Sequence, residues 1–235
     1  MLAPLISQSR PLAQAFSRLY ASGLDLLYPP RCGGCGTAGE GWLCPTCSTR
    51  VERIPPNLHR QRLMLDHPWD HIQVDVVSAV RYAPPVREAI HSIKYDGARD
   101  VIPALAGYLV EVWQALSLQA DFITPIPLHP QGMRERGYNQ SEELAKHLSQ
   151  QVGTPVETRA LIRARHTRQQ AQLNPAERRM NVRGAFNGAV MVCVGKHIML
   201  LDDVTTTGAT LRECASALLD AGAARVSAIT LARAD

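Results

Sequence analysis

No stretch of this 235-residue sequence is apolar and uncharged for long enough to cross a membrane as a helix. The first ten residues include polar groups and Arg10, and no compact apolar core precedes a small-residue cleavage site. A secretory leader is therefore not expected, and a cytoplasmic location is. G-x-x-x-x-G-K-[ST] does not occur, which excludes a nucleoside-triphosphate P-loop, and the most acidic strand end carries no G-x-G-x-x-G dinucleotide fingerprint. Aromatic residues make up 5% of the chain, and none interleaves with its arginine-rich stretch, where Phe186 stands alone. That gives little with which to stack bases. No side chain stands out as a nucleophile.

What is present has the composition of a globular protein, 46% apolar and 20% charged. The length suits one large domain, or one of about 150 residues with a small attachment. A net charge of +4 says little by itself, but positions 159–183 hold seven arginines against one acidic residue, Glu177. Four of the six cysteines fall between positions 32 and 47. Cys32-x-x-Cys35 and Cys44-x-x-Cys47 are separated by eight residues that include Gly36, Gly39 and Gly41. Two such pairs let four thiolates converge on one tetrahedral ion while the glycines let the chain turn tightly. The segment is too short and polar to fold by apolar burial, so a metal would supply its folding free energy. Structural Zn²⁺ is the expected occupant; an iron–sulfur cluster, disulfides or reduced thiols are the alternatives. Four protein ligands leave no open position for chemistry. Such an element either scaffolds the fold or contacts nucleic acid, and only Arg31, Arg50 and Arg53 lie nearby.

The segments around this 31–50 knuckle are less informative. In 1–30, Leu12, Phe16, Leu19 and Leu26–Leu27 are spaced like one face of an amphipathic helix that stops at Pro29–Pro30. That face fits domain packing, a membrane surface or a partner. The 51–71 stretch is rich in proline and histidine without a clear period, and reads as an irregular linker with His59, His67 and His71 at the surface. The larger domain is placed at 72–235.

Within it, the run Ile198–Met199–Leu200–Leu201 leads to Asp202–Asp203, then Val204, Thr205, Thr206, Thr207, Gly208, Ala209 and Thr210, and then a helical period from Leu211 to Leu219. This pattern predicts a buried parallel strand, an acidic strand end, a tight loop and a helix N-terminus. Free N–H groups and the helix dipole at that point suit a phosphate, and Gly208 allows the backbone to wrap it closely. Asp202 and Asp203 are placed to accept hydroxyls or to help hold hydrated Mg²⁺. An ordinary capped strand–helix junction is the plainer reading. A second strand is expected over Phe122–His129, ending in prolines. The loop after it carries Gly132, Arg134, Arg136, Gly137, Asn139 and Gln140, and leads into a helix at Ser141–Gln150. Guanidinium forks match diphosphate oxygens, so this loop is a diphosphate candidate facing the acidic one; a basic surface turn is the alternative.

Other elements fill the alternation. A strand is expected over Val74–Tyr82, and a helix from Pro84–Pro85 to the Lys94–Gly97 turn. Lys94 there fits either a local dipole role or a ligand phosphate. A further helix over Val101–Leu118 is expected to break near Pro103, and Arg225–Leu231 returns as a strand. Cys193 and Cys214 read as core residues. The basic 159–186 segment fits an active-site lid, a contact with nucleic-acid phosphates, or a solvated surface. Alternating strands and helices argue for an open, mainly parallel sheet with helices on both faces, whose ligand lies beyond the strand carboxyl ends.

Asp–Asp followed by T-T-G-x-T resembles the binding motif of type I phosphoribosyltransferases. P-I-P-L-H at Pro125–His129, R-x-R-G-Y-N-Q at Arg134–Gln140 and S-I-K-Y-D-G at Ser92–Gly97 narrow the resemblance. So do Arg163, Thr167, Gln170, Leu173, Arg178, Asn181 and Ala185–Phe186 at their spacing, together with the four-cysteine element. From about Leu26 to Leu231 the chain resembles the ComF/GntX family of phosphoribosyltransferase-like proteins, linked in bacteria to DNA uptake or to use of DNA as a nutrient. The resemblance implies a type I phosphoribosyltransferase-like fold binding phosphoribosyl pyrophosphate with Mg²⁺. Asp202 and Asp203 would face the ribose 2′- and 3′-hydroxyls, and Thr206 to Thr210 would hold the 5′-phosphate. Lys94, Thr205, Gln170 and Arg178 would join the substrate contacts. Three classes stay open: a transferase with an unknown acceptor, a binding module without turnover, and a DNA-handling factor working with the uptake machinery. Oligomeric state is open as well.

Overall fold

The computed structural model describes residues 29, 31–39, 43–67, 70–164 and 184–234. The expected N-terminal helix, Gln170, Arg178 and most of the arginine-rich segment lie outside the described residues. Strands β1 (Arg60–His67), β2 (Asp70–Arg81), β3 (Phe122–Pro125), β6 (His197–Thr205) and β7 (Arg225–Arg233) form one sheet in the order β1-β2-β7-β6-β3. β2, β7, β6 and β3 run parallel, and β1 is an antiparallel edge on β2. A second sheet pairs β4 (Leu161–Arg163) with β5 (Phe186–Gly188) in antiparallel register. The helices are α1 (Pro45–Thr49), α2 (Val86–His91), α3 (Ile102–Ala115), α4 (Pro130–Arg136), α5 (Gln140–Val152), α6 (Val190–Cys193) and α7 (Ala209–Asp220). Among the described residues, no helix is long and apolar enough to cross a membrane.

The unbroken apolar run before Asp202 is explained by burial of β6 on both faces, as expected of a parallel strand between neighbours. Side chains alternate across a strand. Met199 and Leu201 join Ile229 and Leu231 in a core with residues of α2, α3 and α5. Ile198 and Leu200 join Val226 and Ala228 in a second core with residues of α7, β4 and β5. The result is a mixed α/β fold, a largely parallel sheet flanked by helices.

Three local expectations change. The 51–71 stretch is not irregular throughout: β1 occupies Arg60–His67 and pairs from Arg60↔Val77 to His67↔Asp70. Its period-two signal is thin because Leu63 and Leu65 are its only buried apolar side chains and the residue between them, Met64, is apolar yet exposed. His59 is buried, with Nδ1 at 2.8 Å from the Ser78 carbonyl, where a surface histidine was expected. Pro103 starts α3 instead of breaking it, since a first-turn proline loses no intrahelical bond.

The β4–β5 pair is seated directly on α7. A Cβ on Gly188 would lie 2.4 Å from the Ala217 carbonyl oxygen and 2.6 Å from the Ala221 Cβ. Backbone cannot yield as a side chain can, so Gly188→Ala is expected to destabilise the protein by about 1–3 kcal/mol. Denaturant titration reads this as a lower midpoint at unchanged slope. A variant as stable as the parent would show that β5 does not pack this closely on α7.

Candidate functional site: an acidic strand end and the loop that follows it

The four-cysteine element is assembled as its spacing implies. The Sγ atoms of Cys32, Cys35, Cys44 and Cys47 all lie within 4.8 Å of one another, and all six cysteines of the chain are free thiols. The Cys35 and Cys44 sulfurs are 3.8 Å apart. A tetrahedron with Zn–S bonds of about 2.3 Å has edges of about 3.8 Å, so the sulfur cage fits Zn²⁺. The amides of Cys44 and Cys47 donate to the sulfurs of Cys32 and Cys44 at 3.3 and 3.4 Å, which favours thiolates. Cys35 is the exposed member of the four; the Thr37 hydroxyl and then the Thr37 amide hold its thiol down at about 6. The knuckle is docked on the main domain. A Cβ on Gly34 would lie 2.6 Å from Pro85 Cβ, and one on Gly33 would lie 2.8 Å from a Val101 methyl. Arg53 is engaged on the protein itself, 3.0 Å from Glu111 and over the Tyr108 ring.

The second site lies where β3 and β6 end. β6 stops at Thr205, Thr206 to Gly208 form a loop, and α7 starts at Ala209 with Gly208 left-handed at φ 70°. A Cβ at 208 would also lie 2.7 Å from a Leu63 methyl of β1, so conformation and space both select glycine. The guanidinium of Arg212 donates to the Thr207 carbonyl at 2.8 Å and pins the loop from inside α7. This loop, the β3–α4 connection and the N-terminus of α5 open on one cavity of about 410 Å³. Its wall includes Asp202 to Leu211, Arg136, Asn139 to Ser141, Lys94 and Arg163.

Two carboxylates dominate the floor. Asp202 Oδ1 accepts from the Ser141 hydroxyl at 3.1 Å and from the Asp203 amide at 2.9 Å. Burial, and then the Asp203 charge, push the Asp202 carboxyl up to about 7 against the opposing pull of Lys94. Asp203 Oδ1 accepts the Val204 amide at 2.8 Å. Its Oδ2 forms an ion pair with Lys94 Nζ at 2.5 Å. Burial pulls the Lys94 ammonium down, but Asp203 and then Asp202 outweigh it and leave its pKa raised. One internal cation thus answers two adjacent carboxylates.

The expected residues separate by geometry. Lys94, Arg136, Asn139, Gln140, Asp202, Asp203 and Thr205 to Thr210 all line the cavity. Arg134 and Gly137 are exposed and do not line it. The reason is local: the supposed loop forms α4, a helix started by Pro130 and stopped by left-handed Gly137. Residues two apart on a helix point about 200° apart, so Arg134 and Arg136 cannot face one cleft. Asn139 is largely structural, capping the Ser141 amide at 3.1 Å and donating to the Ile126 carbonyl at 2.9 Å. Cys193 and Cys214 are fully buried, as expected of core residues. Sequence reasoning missed Ser141, whose signal was its place in the first turn of α5. It also left Arg163 in the lid. That side chain lines the cavity over the Phe186 ring, and burial lowers its pKa while Cys214 and Asp202 raise it.

Fold and site define a mixed α/β protein with a docked four-cysteine knuckle able to hold a metal and a crevice at the carboxyl ends of parallel strands. The chain belongs to the ComF/YhgH family of DNA-utilisation proteins. DNA utilization protein YhgH of Escherichia coli K12 is 33% identical over 204 residues, 84% of this chain and 86% of that protein. Competence protein ComFC of Bacillus subtilis is 32% identical over 158 residues, 66% of this chain and 63% of its own length. A double zinc ribbon domain family matches residues 23–58, a span that holds the four-cysteine cluster. Among solved structures, glutamine phosphoribosylpyrophosphate amidotransferase from B. subtilis, complexed with ADP and GMP, is similar. It superposes with a TM-score of 0.41 at 24% identity over 57% of this chain and 27% of that one.

Two outcomes follow from the geometry of the sites. Protein prepared without chelator is expected to carry one zinc per chain by elemental analysis, and Cys44→Ser to lose it and melt at lower temperature. A full zinc complement in that variant would refute the four-sulfur cage. For Asp202, the folded carboxyl titrates at about 7 against an ordinary 3.8. Between those values the unfolded chain has lost a proton that the folded chain keeps, so this group makes stability fall as pH rises through that window. Chemical denaturation across pH 3.5–8 should show the decline in the parent and a flatter profile in Asp202→Asn; equal profiles would contradict the raised pKa.

Proposed function

We propose that the cleft binds phosphoribosyl pyrophosphate with Mg²⁺, making this a cytoplasmic, type I phosphoribosyltransferase-like protein. The observation that carries this reading is the sharing of one cavity by the 206–210 loop at the α7 N-terminus, the Asp202–Asp203 strand end and Arg136. The amides at the start of α7 and the threonine hydroxyls would hold the 5′-phosphate. Asp202 and Asp203 would accept ribose hydroxyls. Lys94, Arg136 and Gln140, which line the cavity, would meet the diphosphate, and Gln170 and Arg178 of the arginine-rich segment would join them. The hard carboxylate oxygens beside a diphosphate site fit Mg²⁺, which when bound would neutralise diphosphate charge.

Charge accounting supports an anionic ligand next to two aspartates. Lys94 cancels Asp203, and Asp202 is only partly ionised near neutral pH, so the floor is far less negative than its formal charge. In a transfer, the bond from the sugar carbon to pyrophosphate would break with its electron pair leaving on pyrophosphate. An acceptor lone pair would then form the new bond and the acceptor would lose a proton. The protein's part is placement and electrostatics, with carboxylates near a positive sugar and cations on the departing group.

A binding module without turnover is one alternative; a separate second reading, a DNA-handling factor, assigns the arginines of 159–183 to DNA. It is favoured by relatives named for DNA utilization and competence. Calorimetry with phosphoribosyl pyrophosphate separates the cases. We expect binding that requires Mg²⁺ and weakens at least about tenfold in the Asp202→Asn/Asp203→Asn double variant, the loss of two charge-assisted contacts. No binding with or without Mg²⁺ overturns the proposal. Binding without pyrophosphate release in the presence of candidate acceptors favours the module. DNA affinity that is salt-sensitive, lost with the 159–183 arginines and kept in the double variant favours DNA handling.

A further inference from the structure

The R-x-R-G-Y-N-Q run carries a tyrosine that the phosphate reading leaves without a role. Tyr138 is buried, and its hydroxyl donates to the backbone carbonyl of Ile93. Two residues earlier, Arg136 Nε donates to the next carbonyl, that of Lys94, at 2.9 Å. Both acceptors lie in the single wide turn Ser92–Asp96, which continues α2 and ends at left-handed Gly97. One segment thus grips two consecutive carbonyls of the turn whose lysine meets Asp203. The grip is itself braced. The Arg99 guanidinium lies 4.0 Å over the Tyr138 ring, and Arg136 Nη1 donates to the Gln140 side chain. Ile93 is buried, so the turn is also anchored in the core.

A lysine has four rotatable side-chain bonds and a strongly hydrated head, and holding it against a buried carboxylate requires its backbone to be fixed. The turn belongs to neither sheet, so no strand ladder does this. We infer that Tyr138, with Arg136, is a positioning residue: the Tyr138 hydroxyl holds the Ile93 carbonyl and Arg136 Nε the Lys94 carbonyl, so that Lys94 is delivered to Asp203 at the cavity floor. This deepens the reading of the cleft as a phosphate site and rests on it only for the consequence in ligand binding. It also gives Arg136 a backbone partner in place of a purely ligand-directed role.

The test uses the full chain and its three lysines, Lys94, Lys146 and Lys196. Competitive acetylation with acetic anhydride, read by peptide mass spectrometry, reports the accessibility of each. In the parent, Lys94 should label slowest because it is paired and largely enclosed, whereas Lys146 and Lys196 are half-exposed. Tyr138→Phe keeps the ring and the Arg99 stack. It should speed Lys94 labelling about fivefold, the ratio produced by losing one ordinary hydrogen bond, with Lys146 and Lys196 unchanged. The same variant should weaken inorganic pyrophosphate binding in the parent background but not in a Lys94→Met background. Unchanged Lys94 labelling in a folded Tyr138→Phe protein overturns the inference. So does an equal loss of pyrophosphate affinity in both backgrounds. If Tyr138→Phe does not fold, Arg136→Gln removes the other donor, and its effect on Lys94 labelling decides in the same way. Faster Lys94 labelling in a protein whose parent binds neither pyrophosphate nor phosphoribosyl pyrophosphate upholds the positioning role while the phosphate reading falls.

Discussion

Two carboxylates side by side at a strand end, partly shielded from water, repel each other, and the arrangement of the cleft answers that repulsion. Neighbouring strand residues face opposite ways. Asp203 therefore meets Lys94 from the side of the sheet covered by α2, whereas Asp202 meets Ser141 and is the charge sensed by Arg163 and Cys214. One carboxylate is neutralised by a cation and the other by holding its proton to higher pH. A cleft lined this way can receive an anionic ligand without first having to overcome two full negative charges.

The surrounding elements secure that arrangement from three directions. β1, an antiparallel edge strand, places Leu63 where any side chain at 208 would go, and so keeps the backbone of the loop bare. Arg212 ties the loop to the helix behind it. The four-cysteine knuckle, which could not bury a core of its own, rests Gly33 on Val101 and Gly34 on Pro85, the latter at the start of the helix whose far end carries Lys94. A metal held by the four sulfurs would thus stabilise a segment that continues into the site.

Much of this was legible in the chain. The β6–α7 unit was readable because a strand buried on both faces needs a continuous apolar run, and a helix start beside it needs glycine and small hydroxyl residues. The cysteine cage was readable because paired C-x-x-C spacing has few other geometric solutions. β1 was missed because an edge strand needs few apolar residues, and the exposed Met64 between Leu63 and Leu65 breaks their alternation. The helical state of 130–136 was missed because its glycine and charges resemble a loop, although Pro130, in the first turn, and Gly137, just past the end, are the usual helix punctuation.

The sequence by itself determined which residue types reach the carboxyl ends of β3 and β6 and that four sulfurs can share one metal, since both follow from local periodicity and spacing. Only the tertiary structure decided which of them act together. That Arg136 turns inward while Arg134 faces solvent depends on the phase of a seven-residue helix. That Lys94 pairs with Asp203, far along the chain, depends on how a turn packs against a strand end. Local pattern sets what each segment can be, whereas distances between distant segments are set by packing, and the charge state of a buried carboxylate follows those distances.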